Sequence, residues 1–105
     1  MLRKQSGVSL LVLLVTLTIN AKVFGTGLMS CDAGPRDSWG SKQALRSKLT
    51  AEGWVVRKIK VDAGCYEVYG TTPDKKRVEA YFDPVRFEKL LVARRGEILF
   101  RRQVE

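Results

Sequence analysis

The sequence predicts an α+β domain: one amphipathic helix packed on a small antiparallel sheet, a meander of three to four strands, preceded by a signal peptide. Three observations carry this expectation. A twelve-residue uncharged apolar run, Val8 to Ile19, follows Arg3 and Lys4. Apolar residues then recur at helical spacing as far as Gly53, where the spacing changes to alternation. Beyond that point, short β-branched runs are separated by compact turn signals, and such short connections require antiparallel pairing.

The apolar run is too short to span a bilayer as a helix, which takes about 20 apolar residues. Its length suits the central region of a secretory signal. A buried core helix would show a polar face, whereas only Ser9, Thr16 and Thr18 interrupt this run. Asn20, Ala21 and Lys22 end it. The small residues that a cleavage site needs are offered by Val23 and Gly25, or by Gly25 and Gly27. The mature chain is therefore expected to begin between Thr26 and Leu28, after a signal and cleavage region over residues 1–27 that contacts the membrane only in transit. The expected location is the periplasm or the exterior. Leu28-Met29-Ser30-Cys31 also resembles a lipobox, which would make Cys31 a lipid anchor. The gap from Asn20 to Gly27 and the bulk of Met29 weigh against that alternative, which would also leave Cys65 without a partner.

Residues 28–40 are rich in Gly, Ser, Asp and Pro and read as a linker that contains Cys31; residues 41–105 form the folded domain, with a basic C-terminal tail. Ser41 suits the N-cap of a helix over Lys42 to Glu52, with Ala44, Leu45 and Leu49 on its apolar face and Gly53 at its end. Trp39 is expected to pack against the helix start. In Trp54 to Val61, the residues Val55, Ile59 and Val61 share one face, with Arg57 as the exception, and Trp54, Val56, Lys58 and Lys60 share the other. Asp62-Ala63-Gly64 is a tight turn. Cys65 to Thr71 forms a second strand, with Tyr66 and Val68 opposite to Glu67 and Tyr69. Thr72-Pro73-Asp74-Lys75 turns into a third, Arg77 to Phe82, in which Val78, Ala80 and Phe82 share a face. Asp83-Pro84 closes it. Phe87 to Arg95 fits either a helix or a strand, Arg95-Gly96-Glu97 looks like a turn, and Ile98 and Phe100 suggest a short final strand.

Cys31 and Cys65 are the two cysteines of the chain, and a bridge between them is expected in an oxidising compartment. A mature domain this small approaches the size at which one core barely suffices, so such a staple matters. The formal charge is +8; loss of Arg3, Lys4 and Lys22 with the signal leaves 16 basic against 11 acidic residues, about +5. That balance favours solubility and weak attraction to polyanions. In an exported protein without a recognition motif, it does not indicate nucleic acid.

The stretch from Leu45 to Pro84 closely resembles the PepSY domain in its small stand-alone form from bacterial envelopes. The match is carried by Leu49-Thr50-Ala51-Glu52-Gly53-Trp54, Val56-Arg57-Lys58-Ile59-Lys60, Gly64-Cys65-Tyr66-Glu67-Val68-Tyr69 and Arg77-Val78-Glu79-Ala80-Tyr81-Phe82-Asp83-Pro84. A cysteine shortly before the helix, here Cys31, also resembles that subgroup. The resemblance implies a helix on an antiparallel sheet and a role in restraining peptidase activity, hence a protein partner, with a peptidase as the implied class. The chain departs from the family where many relatives carry a glycine soon after Asp-Pro, because Phe87 stands there. The basic residues from Arg86 onward lie outside the resemblance.

The chain has no histidine, which removes the most common general base and transition-metal ligand. Two cysteines alone make a poor zinc site, and neither a phosphate-binding glycine loop nor a nucleophile elbow is present. No metal, cofactor or catalytic residue is expected. Glu67 and Glu79 lie on neighbouring strands, as a glycosidase pair would, about 5 to 10 Å apart. So small a sheet offers little cleft, and both read as solvated charges facing Arg57, Lys58 or Arg77. Tyr66, Tyr69, Tyr81 and Trp54 read mainly as core. The alternation nevertheless gives the face away from the helix Trp54, Lys58, Lys60, Glu67, Tyr69, Glu79 and Tyr81, the mixture of aromatic and charged groups expected where a protein partner binds. An open edge strand offers a second route, by strand addition. The basic tail, Arg94, Arg95, Arg101 and Arg102, is the alternative site, for anionic envelope polymer or lipid headgroups.

Overall fold

The computed structural model describes residues 27–103, so all but the last residue of the signal and cleavage region read over residues 1–27 lies outside the described residues. Helix α1 (Lys42–Ala51) is followed by β1 (Val55–Asp62), β2 (Cys65–Thr71), β3 (Arg77–Phe82), β4 (Lys89–Arg94) and β5 (Glu97–Arg101). The strands form one antiparallel meander in the order β1-β2-β3-β4-β5. The α+β class stands, with five strands where three to four were expected. β4 explains the difference, because Leu91, Val92 and Ala93 are all buried. A strand covered on both faces shows no alternation, so its period cannot be told from that of a helix.

Ser41 caps α1 by accepting a hydrogen bond from Ala44 N at 2.9 Å. Gly53, at φ 98°, turns the chain out of the helix, and Trp54 N bonds back to Leu49 O at 3.0 Å. Leu45 and Leu49 are buried against the sheet, while Ala44, expected beside them, is exposed. The core under the helix gathers Ile59, Tyr66, Val68, Val78, Ala80, Phe82 and Val92. Trp39 joins it at the helix start, its ring edge-on to Tyr66 with centroids 5.5 Å apart.

The first strand departs from its expected alternation. Val56 pairs with Gly70 and Lys58 with Tyr69, so Arg57 is an extra residue in a β-bulge. The bulge reverses the parity of the strand's start. Trp54, expected on the far face, is 8% exposed and packs edge-on against Phe82 in the helix-side core, with centroids 5.9 Å apart. Val56 joins that core and Val55 is left in solvent.

The opposite face of the sheet is also partly covered. Leu28, Met29 and Cys31 lie over a second cluster of Cys65, Tyr81, Leu91 and Ala93. The Cys31–Cys65 disulfide ties this strap to the start of β2 (Sγ–Sγ 2.07 Å), and Cys31 N bonds to Ala63 O at 2.8 Å. The bridge occupies the Cys31 sulfur, the atom that a thioether-linked lipid would need. Gly64 has to be a glycine here on two counts: its φ is 80°, and a side chain would run into the carbonyl of Cys31.

Candidate functional site

Register places Lys58, Lys60, Glu67, Tyr69, Glu79 and Tyr81 on the strap side of the sheet, as the alternation predicts, through the pairs Lys58–Tyr69, Lys60–Glu67, Glu67–Tyr81 and Tyr69–Glu79. Burial then divides them. Glu67 and Tyr81 are 0% exposed, so Glu67 is not the solvated charge expected. The strap packs over Tyr81. What remains open is a small patch of Lys58, Lys60, Tyr69 and Glu79. The ammonium groups of Lys58 and Lys60 lie 5.9 and 5.6 Å from the Tyr69 ring centroid.

This patch is electrostatically tense. Burial first, then the charge of Glu67 and a hydrogen bond to it, push the Tyr69 hydroxyl up to about 12. Burial and the Glu67 charge also raise Glu79 above the usual carboxylate range, against the opposing pull of Lys60. A phenol that holds its proton this firmly is a donor, and it is a poor base or nucleophile at neutral pH. Among the described residues, no group of three or more His, Cys, Asp or Glu could hold a metal ion.

The basic residues near the C-terminus do not form a tail. Arg94 ends β4, Arg95 sits in the two-residue turn at φ 52° with Gly96 at 83°, and Arg101 ends β5. Arg102 is held by Glu88, Nε to Oε2 2.7 Å, and by a backbone bond to Leu90 O. These arginines bracket an edge strand whose five residues, Glu97 to Arg101, are all exposed. Ile98, Leu99 and Phe100 are 38%, 39% and 38% exposed. The pairs Ala93–Ile98 and Val92–Phe100 leave Leu99 as an extra residue in a further bulge.

Leu99 and Phe100 border a groove of about 410 Å³ that also meets Trp54, Val92, Pro73 and Lys89. The Lys89 ammonium lies 4.5 Å from the Phe100 ring centroid. The groove exists because α1 lies over the β1 side of the sheet and leaves this side uncovered. The β1 edge differs. Arg46 Nη1 bonds to Val56 O there at 2.9 Å, so the helix already engages its backbone. The apolar centre of β5 went unrecognised as a surface in the sequence, where its signal was the Arg95-Gly96 turn followed by three apolar residues between arginines.

The family model described as peptidase propeptide and YPEB domain, PepSY_2, matches residues 10–90. The match takes in α1 and β1 to β3 and stops at the start of β4, so β5 lies beyond it. Comparison with curated proteins gave no match, and neither did comparison with solved structures.

Proposed function

The chain belongs to the peptidase propeptide and YPEB domain family, and on that premise we propose that it is a non-catalytic, exported module that binds and modulates a peptidase or another envelope protein, using the exposed edge of β5. The observation that carries the surface is the strand itself. It is an edge with three exposed apolar residues in a row, beside a groove in which Trp54, Val92, Leu99 and Phe100 meet the charged Glu52, Asp74, Lys76 and Lys89. Edge strands are normally blunted by charge, proline or cover, and an open one accepts an extended segment through main-chain hydrogen bonds. Exposed Arg94, Arg95 and Arg101 at its two ends favour a segment with an apolar centre and acidic flanks, one side chain of which would enter the groove beside Leu99 and Phe100. The lack of histidine, the small open patch on the strap face and the raised Tyr69 proton affinity support a binding role over a catalytic one.

The test is capture from the envelope fraction with the mature, oxidised protein as bait, compared with Leu99→Lys. A specific partner is held by the wild type, lost by the variant, and changed in activity when the wild type is added. Binding of anionic polymer through the arginines is the second reading, favoured by their exposure. It would weaken steeply between low and physiological salt, whereas strand addition on an apolar strand would not.

A further inference from the structure

Gly27 lies against a buried carboxylate. Gly27 N bonds to Asp62 Oδ2 at 3.2 Å, and Tyr81 donates its hydroxyl hydrogen to the same oxygen at 2.7 Å. Leu28 N in turn lies 3.4 Å from the Tyr81 hydroxyl oxygen. Asp62 is 4% exposed and Tyr81 is 0% exposed. The Cys31–Cys65 bridge and the Cys31 N bond to Ala63 O hold the strap a few residues downstream, so this stretch of backbone cannot wander from the site. A buried carboxylate is costly unless hydrogen-bonded and paired with a cation, and among the described residues the nitrogen that reaches it is the neutral amide of Gly27.

The expected cleavage window, Thr26 to Leu28, coincides with this spot. Hydrolysis adds water across one peptide bond: the departing leader takes the hydroxyl as a carboxylate, and the mature chain takes the hydrogen as an amine that protonates. Whether the new terminus is Thr26 or Leu28, it is adjacent to Gly27 in the sequence.

We propose that Asp62 is the receptor for the α-ammonium group created by export processing, so that leader removal puts a cation where the described residues offer this carboxylate a neutral amide and a hydroxyl. The inference rests on the exported reading given above. Charge-assisted hydrogen bonds are roughly twice as strong as neutral ones. Processing would thereby lock the strap, which in turn covers Tyr81, Leu91 and Ala93. The groups facing the amine are Asp62 and Tyr81, with Lys60, Glu67, Tyr69 and Glu79 further along the same face.

The test uses oxidised protein prepared with defined termini at Thr26 and at Leu28, each with a free and an acetylated amine. The amine of at least one form should titrate about one unit or more above the ordinary α-amino value of about 7.7 to 8.0, and Asp62→Asn should return it there. Acetylation should lower the melting temperature of that form. Because Asp62→Asn alone could unfold the domain, the acetylation comparison stands without any substitution. Ordinary amine titration in both forms, or equal melting with and without acetylation, would overturn the proposal. Intact mass of the exported protein tests the cleavage reading separately: a terminus elsewhere refutes that reading, while the defined-terminus titration still judges Asp62.

Discussion

Tyr81 on β3 donates a hydrogen bond to Asp62 at the end of β1, 2.7 Å away, although β2 runs between the two strands. The bond joins the two sides of the sheet beneath the strap and leaves a buried acid dependent on a few donors. Tyr81→Phe keeps the ring and removes the hydroxyl, so it isolates that dependence. A loss of about 1 to 3 kcal/mol is expected, read as a lower denaturation midpoint with an unchanged slope.

The disulfide is the second tie. It links residues 34 apart in the sequence, and its removal by Cys65→Ser should cost on the order of 2 to 4 kcal/mol. Peptide mapping without reductant should recover Cys31 and Cys65 in one cross-linked pair. Free thiols at both positions in native protein would contradict the strap arrangement.

Glu79 gives the fold a pH signature. Burial and the charge of Glu67 raise its carboxyl above the ordinary value of 4.5, so the folded state holds this proton more tightly than the unfolded state. The stability contributed by the group is therefore complete below about 4.5 and is lost as pH rises through the elevated folded value. Glu79→Gln removes that loss. The variant should be more stable than the wild type at neutral pH, and the advantage should vanish as the solution is acidified below the ordinary value. An equal offset at every pH would show that the charge plays no part.

Phe87 carries a different strain. Its φ is 59°, in the left-handed region that favours glycine. Its half-buried ring packs against the helix-side core and lies against Gly40. Phe87→Ala loses the ring and keeps the strained backbone, whereas Phe87→Gly loses the ring and relieves the strain. The glycine variant should therefore be the more stable of the two by about 0.5 to 1 kcal/mol, reversing the usual order. Thermal melting of the pair decides this.

The helix, four of the five strands and both two-residue turns were legible because each has a local cause: the Ser41 cap, the Gly53 exit, and the Ala63-Gly64 and Arg95-Gly96 pairs at positive φ. Trp54 was misplaced because the Arg57 bulge changes the parity of the strand, and a bulge reads in sequence only as a polar residue on an apolar face. β4 was hidden by burial on both faces. Glu67 looked like surface because its burial is a tertiary fact that no pattern within the strand carries. The β5 surface depends on which part of the sheet the helix leaves open, a tertiary fact that periodicity does not carry.

The central claim is that the partner docks on the β5 edge. It is tested most directly by placing a photoreactive side chain at position 99 in one form of the exported protein and at position 69 in another, then illuminating the envelope. The account predicts a discrete protein adduct from position 99, competed away by unlabelled wild type but not by Leu99→Lys, and none from position 69. An adduct from position 69 alone, or from neither, would contradict it.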